Sequence, residues 1–151
     1  MRLNERLTAI ENAVYEIVSD IDYSIIDEDL SDINLQKGKK ERGTKLKPPL
    51  MAVYFNNADI DNESSSIRNN WSYELFIIGM VVGRDTDKMR KLSTEMTALA
   101  MEELLKDRSL KQTVGELRPI GFIPGDERFE IGDNVYASLA QMEVRFTHMV
   151  K

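Results

Sequence analysis

Residues 135–149 alternate in hydropathy more cleanly than any other part of the chain. Tyr136, Ala140, Met142, Val144 and Phe146 fall on one side, and Gln141, Glu143, Arg145 and Thr147 on the other. Successive side chains of a strand point to opposite faces, so this period of two predicts a long β-strand with one buried face and one polar face. Such a strand cannot stand alone. It needs strands beside it and an apolar layer beneath it, and the rest of the chain has to supply both.

The layer is legible in two helical patterns. Leu3, Leu7, Ile10, Val14, Ile17 and Ile21 recur at spacings of three and four, with Glu5, Arg6, Glu11, Asn12 and Glu16 on the opposite side. This predicts a helix over residues 3–19. Its seam is shorter than a coiled coil needs, so docking on the chain's own sheet is the better reading. Met89, Leu92, Met96, Leu99, Ala100, Leu104 and Leu105 mark a second helix over 86–107, with Asp85 or Thr86 as its N-cap. The methionines Met89, Met96 and Met101 follow core spacing and read as packing.

Further strands are expected over 50–55, 71–82 and 116–123. The 71–82 segment alternates at first and then turns apolar on both sides, as a strand does when it ends between two layers. Pro119 cannot donate to a ladder, which puts its strand at an edge or a bulge. Residues 56–70 read as a polar loop, 109–114 as a turn or helical stub, and Pro124-Gly125-Asp126 as a turn ahead of a charged loop. The expected order is α-β-β-α-β-β. It describes one α+β domain over 1–151: a four-stranded, mostly antiparallel sheet with two main helices packed on it.

Residues 20–49 read as a flexible loop in two halves. Asp20, Asp22, Asp27, Glu28, Asp29 and Asp32 make the first half acidic. Lys37, Lys39, Lys40, Arg42, Lys45 and Lys47 make the second basic, ending at Pro48-Pro49. The basic half lacks periodicity and is the candidate contact arm, suited to an acidic partner surface or passing nucleic acid. It has no interleaved aromatics on which bases could stack, so sequence-specific reading is not expected.

Composition removes several classes of chemistry. With 42% hydrophobic and 30% charged residues the chain is ordinary for a globular protein. It has no cysteine, which leaves no thiolate zinc site or cysteine nucleophile, and one histidine, His148, which argues against a histidine-rich metal centre or a Ser-His-Asp triad. The formal charge of -6 opposes whole-surface binding to nucleic acid or anionic membrane. The longest apolar run, 75–82, is far short of the ~20 residues that span a bilayer, and the N-terminus lacks a signal-peptide pattern. A cytoplasm-like compartment is expected.

Near-matches to site motifs fail on their details. Gly38-Lys39-Lys40-Glu41-Arg42-Gly43-Thr44-Lys45 approaches a P-loop, but Thr precedes Lys and two prolines follow in place of a helix. A calcium loop begun at Asp20 would have Ile25 and Ser31 where glycine and a carboxylate are needed. Paired acids such as Asp85/Asp87 and Glu102/Glu103 suit helix dipoles and solvated faces. No catalytic, cofactor-binding or metal-binding residues are assigned, and an enzyme is not expected.

As an assembled pattern the chain resembles the tail terminator (tail completion) proteins of tailed bacteriophages. The resemblance lies in the N-terminal helix, the Pro48-Pro49-Leu50-Met51-Ala52-Val53-Tyr54-Phe55 strand, the 71–82 strand and the Asp87-Lys88-Met89-Arg90-Lys91-Leu92 helix opening. It continues through Leu117-Arg118-Pro119-Ile120-Gly121-Phe122 and the closing strand with Glu143-Val144-Arg145-Phe146. It implies a non-enzymatic virion subunit, assembled in the bacterial host cytoplasm and forming a homo-oligomer, a hexameric ring, on the head-proximal end of the tail. Its partners would be the tail tube protein and the head–tail connector protein, with genomic DNA passing through unbound. Gln141, Glu143, Arg145 and Thr147, with the edge around Pro119, are the candidate contacts to a neighbouring subunit. A head–tail connector or neck protein, and a small-ligand-binding α+β domain, are the alternatives.

Overall fold

The computed structural model describes residues 2–38, 47–60, 68–107, 110, 116–128 and 131–149. Helix α1 (Leu3–Ser19) leads through two short 3-10 turns, Tyr23–Ile25 and Glu28–Leu30, into strand β1 (Asn34–Lys37). Strands β2 (Leu50–Ile60) and β3 (Arg68–Val82), helix α2 (Thr86–Lys106), and strands β4 (Glu116–Glu127) and β5 (Val135–Met149) follow. They form one sheet in the order β1-β2-β3-β5-β4 with both helices on the same side.

The α+β class is as expected, but the sheet is five-stranded and mixed, not four-stranded. The added strand, β1, runs parallel to β2, with Asn34 opposite Leu50 and Lys37 opposite Val53. Its sequence, Asn-Leu-Gln-Lys, has one apolar residue and no period to reveal it. Pairing with a neighbour, not propensity, makes it a strand. Residues 20–49 are therefore not one loop. The acidic half folds into the two turns, where Asp22 and Asp27 accept hydrogen bonds from the amides of Ser24 and Asp29. Tyr23 and Leu30 from this stretch are buried in the core.

The strands also outrun their expected limits. β2 continues to Ile60 through a bulge between Phe55 and Ala58, in what reads as polar loop. β4 continues through Pro124-Gly125, which forms a second register shift between Ile123 and Asp126, not a turn. Contact with α2 explains it. The Gly125 amide donates to Thr94 Oγ1 at 2.7 Å, and a Cβ at Gly125 would lie 2.5 Å from the Arg90 carbonyl oxygen. Gly79 on β3 meets the same helix, where a Cβ would lie 2.5 Å from Thr97 Oγ1. Two glycines thus let α2 approach the sheet closely, and the buried Ser138 hydroxyl bonds the Ser93 carbonyl and Thr97 between them.

The core fills the space between helices and sheet. Ile10, Val14 and Val18 of α1 and Met96, Ala100 and Leu104 of α2 meet Met51, Val53, Leu75, Ile77, Met142 and Val144. Asp85 caps α2 by accepting from the Lys88 amide. On α1, Arg6 donates to the Thr147 carbonyl at 3.0 Å, and Tyr73 Oη donates to Glu11 at 3.1 Å. The alternation of β5 places Tyr136, Ala140, Met142, Val144 and Phe146 in the core. Phe146, 3% exposed, lies parallel to Trp71 at 6.4 Å between ring centroids. Phe146→Ala is expected to cost about 3–5 kcal/mol in chemical denaturation. A negligible loss would place this face of β5 outside the core.

Alkali should weaken the fold. Burial pushes the Tyr23 and Tyr73 hydroxyls far above their ordinary 10.0, and the Glu11 charge adds to the effect at Tyr73. A group whose pKa rises on folding contributes stability that is fully present below its unfolded pKa and lost as pH climbs toward the folded one. The urea midpoint is expected to fall between about pH 9 and about pH 11. An unchanged midpoint would contradict the burial of these phenols.

Candidate interaction surface

The pleat of each strand sends alternate residues away from the helices. Five rows cross the outward face from β2 to β4, beginning at the far corner with Leu50, Met80 and Ala137, opposite Asp126. Ala52, Ile78, Leu139 and Ile123 make the second, and Tyr54, Phe76 and Gln141 make the next, opposite Gly121. Beyond them, past the β2 bulge, come Glu74, Glu143 and Arg118, then Asp59, Ser72, Arg145 and Glu116. Among the described residues no helix or strand covers this face. Only Ile131, from the turn before β5, packs on its far corner, with Leu50, Met80 and Ala137.

One end of the face is apolar. Tyr54 and Phe76 stack at 5.1 Å between centroids, and Ile123 and Val82 are each 50% exposed. Burial, with the Glu74 charge adding, raises the Tyr54 hydroxyl pKa above its usual value. The expectation that β3 ends between two layers holds in part: Met80 is buried with Leu50, Ala137 and Ile131, whereas Phe76, Ile78 and Val82 face no helix or strand among the described residues. The two-sided pattern at residues 75–82 was visible in the sequence. Its meaning was not, because a covered face and an exposed interaction face read alike.

The other end is a network of side chains. Glu74 and Glu143 stand directly opposite each other on β3 and β5, a like-charge pair that destabilises a sheet unless compensated. Glu143 accepts from Ser72 Oγ at 2.7 Å and Arg145 Nε at 2.8 Å, with Arg118 Nη1 at 4.0 Å. Glu74 accepts amide hydrogen bonds from Asn56 at 3.0 Å and Gln141 at 2.9 Å. Glu143 is thus charge-compensated, while Glu74 is held by neutral donors.

The residues singled out from sequence divide accordingly. Gln141, Glu143, Arg145 and Thr147 share the outward face of β5, and the structure adds Ser72, Glu74, Asn56 and Arg118 from neighbouring strands. Ser72 and Glu74 lie on the polar side of the alternation over 71–75, but only strand register brings the four together. Lys37 ends β1 with its ammonium 5.1 Å from the centre of the Tyr15 ring. At the far end of the arm the Lys47 carbonyl accepts from Asn34 Nδ2 at 2.7 Å. The two ends of the basic segment are therefore fixed to the β1 side of the sheet. Lys39, Lys40, Arg42 and Lys45 lie outside the described residues.

His148 is buried, 8% exposed, on the helix side of β5. An open hollow of about 500 Å³ lies at the Trp71 end, lined by Asp59, Trp71, Arg145 and Phe146 among others. Among the described residues no three metal-ligating side chains come together, and no helix is long and apolar enough to cross a membrane. Neither a protein-family model nor a curated protein matches the chain.

The two glutamates should respond differently to neutralisation. Glu143→Gln removes the charge that pairs with two guanidinium groups and is expected to destabilise by up to about 1 kcal/mol at low salt. Glu74→Gln relieves the like-charge contact and is expected to be neutral or stabilising by a few tenths of a kcal/mol. Urea denaturation of both variants checks the order, and its reversal would contradict this network.

Proposed function

We propose that the chain is a structural virion subunit that caps the head-proximal end of a phage tail tube as a ring, stops tube polymerisation and offers the surface for head joining. The observation that carries this reading is the pair of unlike sheet edges. β1 is short and polar and bears Lys37, whereas β4 is long and twice bulged, with Ile120 49% exposed. A closed ring needs one patch to meet a different patch through a repeated rotation. Two unlike edges on opposite sides of one sheet supply such a pair. Arg145 and Thr147 flank the β4 edge, and the basic arm springs from the β1 edge.

On this reading the subunit works by shape and edge occupancy. A ring matched to the tube's symmetry pairs with the last tube ring and removes the surface on which the next would form. The basic arm, carrying Lys39, Lys40 and Arg42, contacts an acidic partner surface and makes joining conditional on the right partner. The net acidic charge suits an opening through which DNA passes without adhering. The resemblance to tail terminators supplies the choice of tail over other rings.

Disrupting the gene in its phage and imaging the lysate tests the assignment. Tails of aberrant length, unjoined to full heads, are expected. Normal tails beside leaky heads would transfer the protein to the connector role, and normal virions would contradict both. Changing Lys39, Lys40 and Arg42 together to Ser is expected to abolish joining while leaving the melting temperature unchanged. Unchanged infectivity would remove the arm from the mechanism.

A further inference from the structure

The last turns of α1 and α2 flank an open hollow of about 490 Å³. Its floor is apolar. Ile17, Ile21 and Leu99 are half-buried against the core, and Ile25 beside them is 72% exposed, more than any other large apolar side chain among the described residues. Its rim is acidic. Asp20 and Asp22 stand on the α1 side and Glu103 and Asp107 on the α2 side, with Lys106 the one cation among the described lining residues. Lys106 is itself ion-paired with Glu103. The negative sign extends beyond the rim. No lysine or arginine occurs between Arg6 and Lys37, a stretch that holds eight acids. The other cations of α2 are engaged: Lys88 with Asp27 and Asp29, Arg90 with Asp126, and Lys91 with Glu95. Arg108 and Lys111 follow Asp107 in the sequence and lie outside the described residues. Counting both, residues 7–36 and 99–111 hold eleven acids against three bases.

We propose that this groove docks a basic amphipathic helix of another protein. Its apolar side chains lie over Ile17, Ile21, Ile25 and Leu99, and its lysines or arginines meet the carboxylates of the rim. Two helix ends side by side present the ridges and groove that take a third helix. An exposed isoleucine on an apolar floor is retained where an apolar side chain covers it. The rim then selects the charge of the occupant. It repels nucleic acid and anionic lipid, whose phosphates would lie against Asp20, Asp22, Glu103 and Asp107. The chain's own basic segment fits poorly, because residues 37–47 hold a single apolar residue, Leu46, to set against the apolar floor.

This docking goes beyond the tail reading and does not depend on it, since that reading uses the strand edges and the basic arm. The probe is a dye-labelled peptide of about 14 residues, with leucines at spacings of three and four and lysines elsewhere. It is titrated with the full chain at low salt and read by fluorescence anisotropy. A Kd of about 10–100 µM is expected, with no binding by the same peptide carrying glutamate in place of lysine. Ile25→Ser, at an exposed position, should weaken binding about tenfold with an unchanged circular dichroism spectrum. Asp20→Asn with Glu103→Gln should do the same. Asp59→Asn with Glu116→Gln removes equal charge from the outward sheet face and should leave the affinity within about twofold. Absence of binding at about 1 mM would overturn the docking, as would equal losses from the two charge pairs or indifference to Ile25→Ser. Native mass spectrometry of the chain alone completes the test. Self-association that Ile25→Ser abolishes would give the groove to a second copy and overturn the proposal.

Discussion

The ladder between β3 and β5 holds the rest of the structure in place. It runs without a register shift from Arg68 opposite Met149 to Val82 opposite Val135. On one side of it Tyr73, Leu75, Ile77, Ala140, Met142, Val144 and Phe146 are buried in the core beneath the helices, and on the other Ser72, Glu74, Gln141, Glu143 and Arg145 point away. A slip of one position would exchange Val144 and Phe146 for Glu143 and Arg145 in the core, so burial itself locks the register. β2 and β4 then pair with its two outer sides, and the bulges fall in these outer strands and not in the ladder.

From that ladder follows the asymmetry of the molecule. Both helices lie on one side, and α2 sits close because Gly79 and Gly125 leave room for its backbone. The other side keeps a stacked aromatic pair, half-exposed aliphatics and a compensated carboxylate network. Apolar side chains that cost solubility are retained on a sheet face when another surface covers them. On the proposed reading, this face is where a partner in the assembly would lie.

Local periodicity made much of this legible. The helix over 3–19, the helix from 86 and the strand over 135–149 follow from spacings of 3.6 and two, because each buries one face against a large partner. β1 was hidden because four residues carry no period and depend on β2 for their conformation. Pro124-Gly125 read as a turn because its local chemistry favours one, while the contact with Arg90 and Thr94 is a long-range constraint. For the surface, the polar side of β5 was visible as Gln141, Glu143, Arg145 and Thr147. That Ser72, Glu74 and Arg118 stand beside them was not, since register joins residues far apart in sequence. The outward apolar rows were visible as a two-sided pattern whose exposure only the layer count reveals.

On the proposed reading, the uncovered sheet face, the two unlike edges and the basic segment rooted at one of them are the surfaces that meet other proteins. The most direct test of the capping account is cross-linking mass spectrometry on intact phage particles that carry the chain. The account predicts links from the β4 and β5 surface or the basic arm to the tail tube protein and to the head–tail connector. Links confined to the capsid shell, or particles that contain none of the chain, would contradict it.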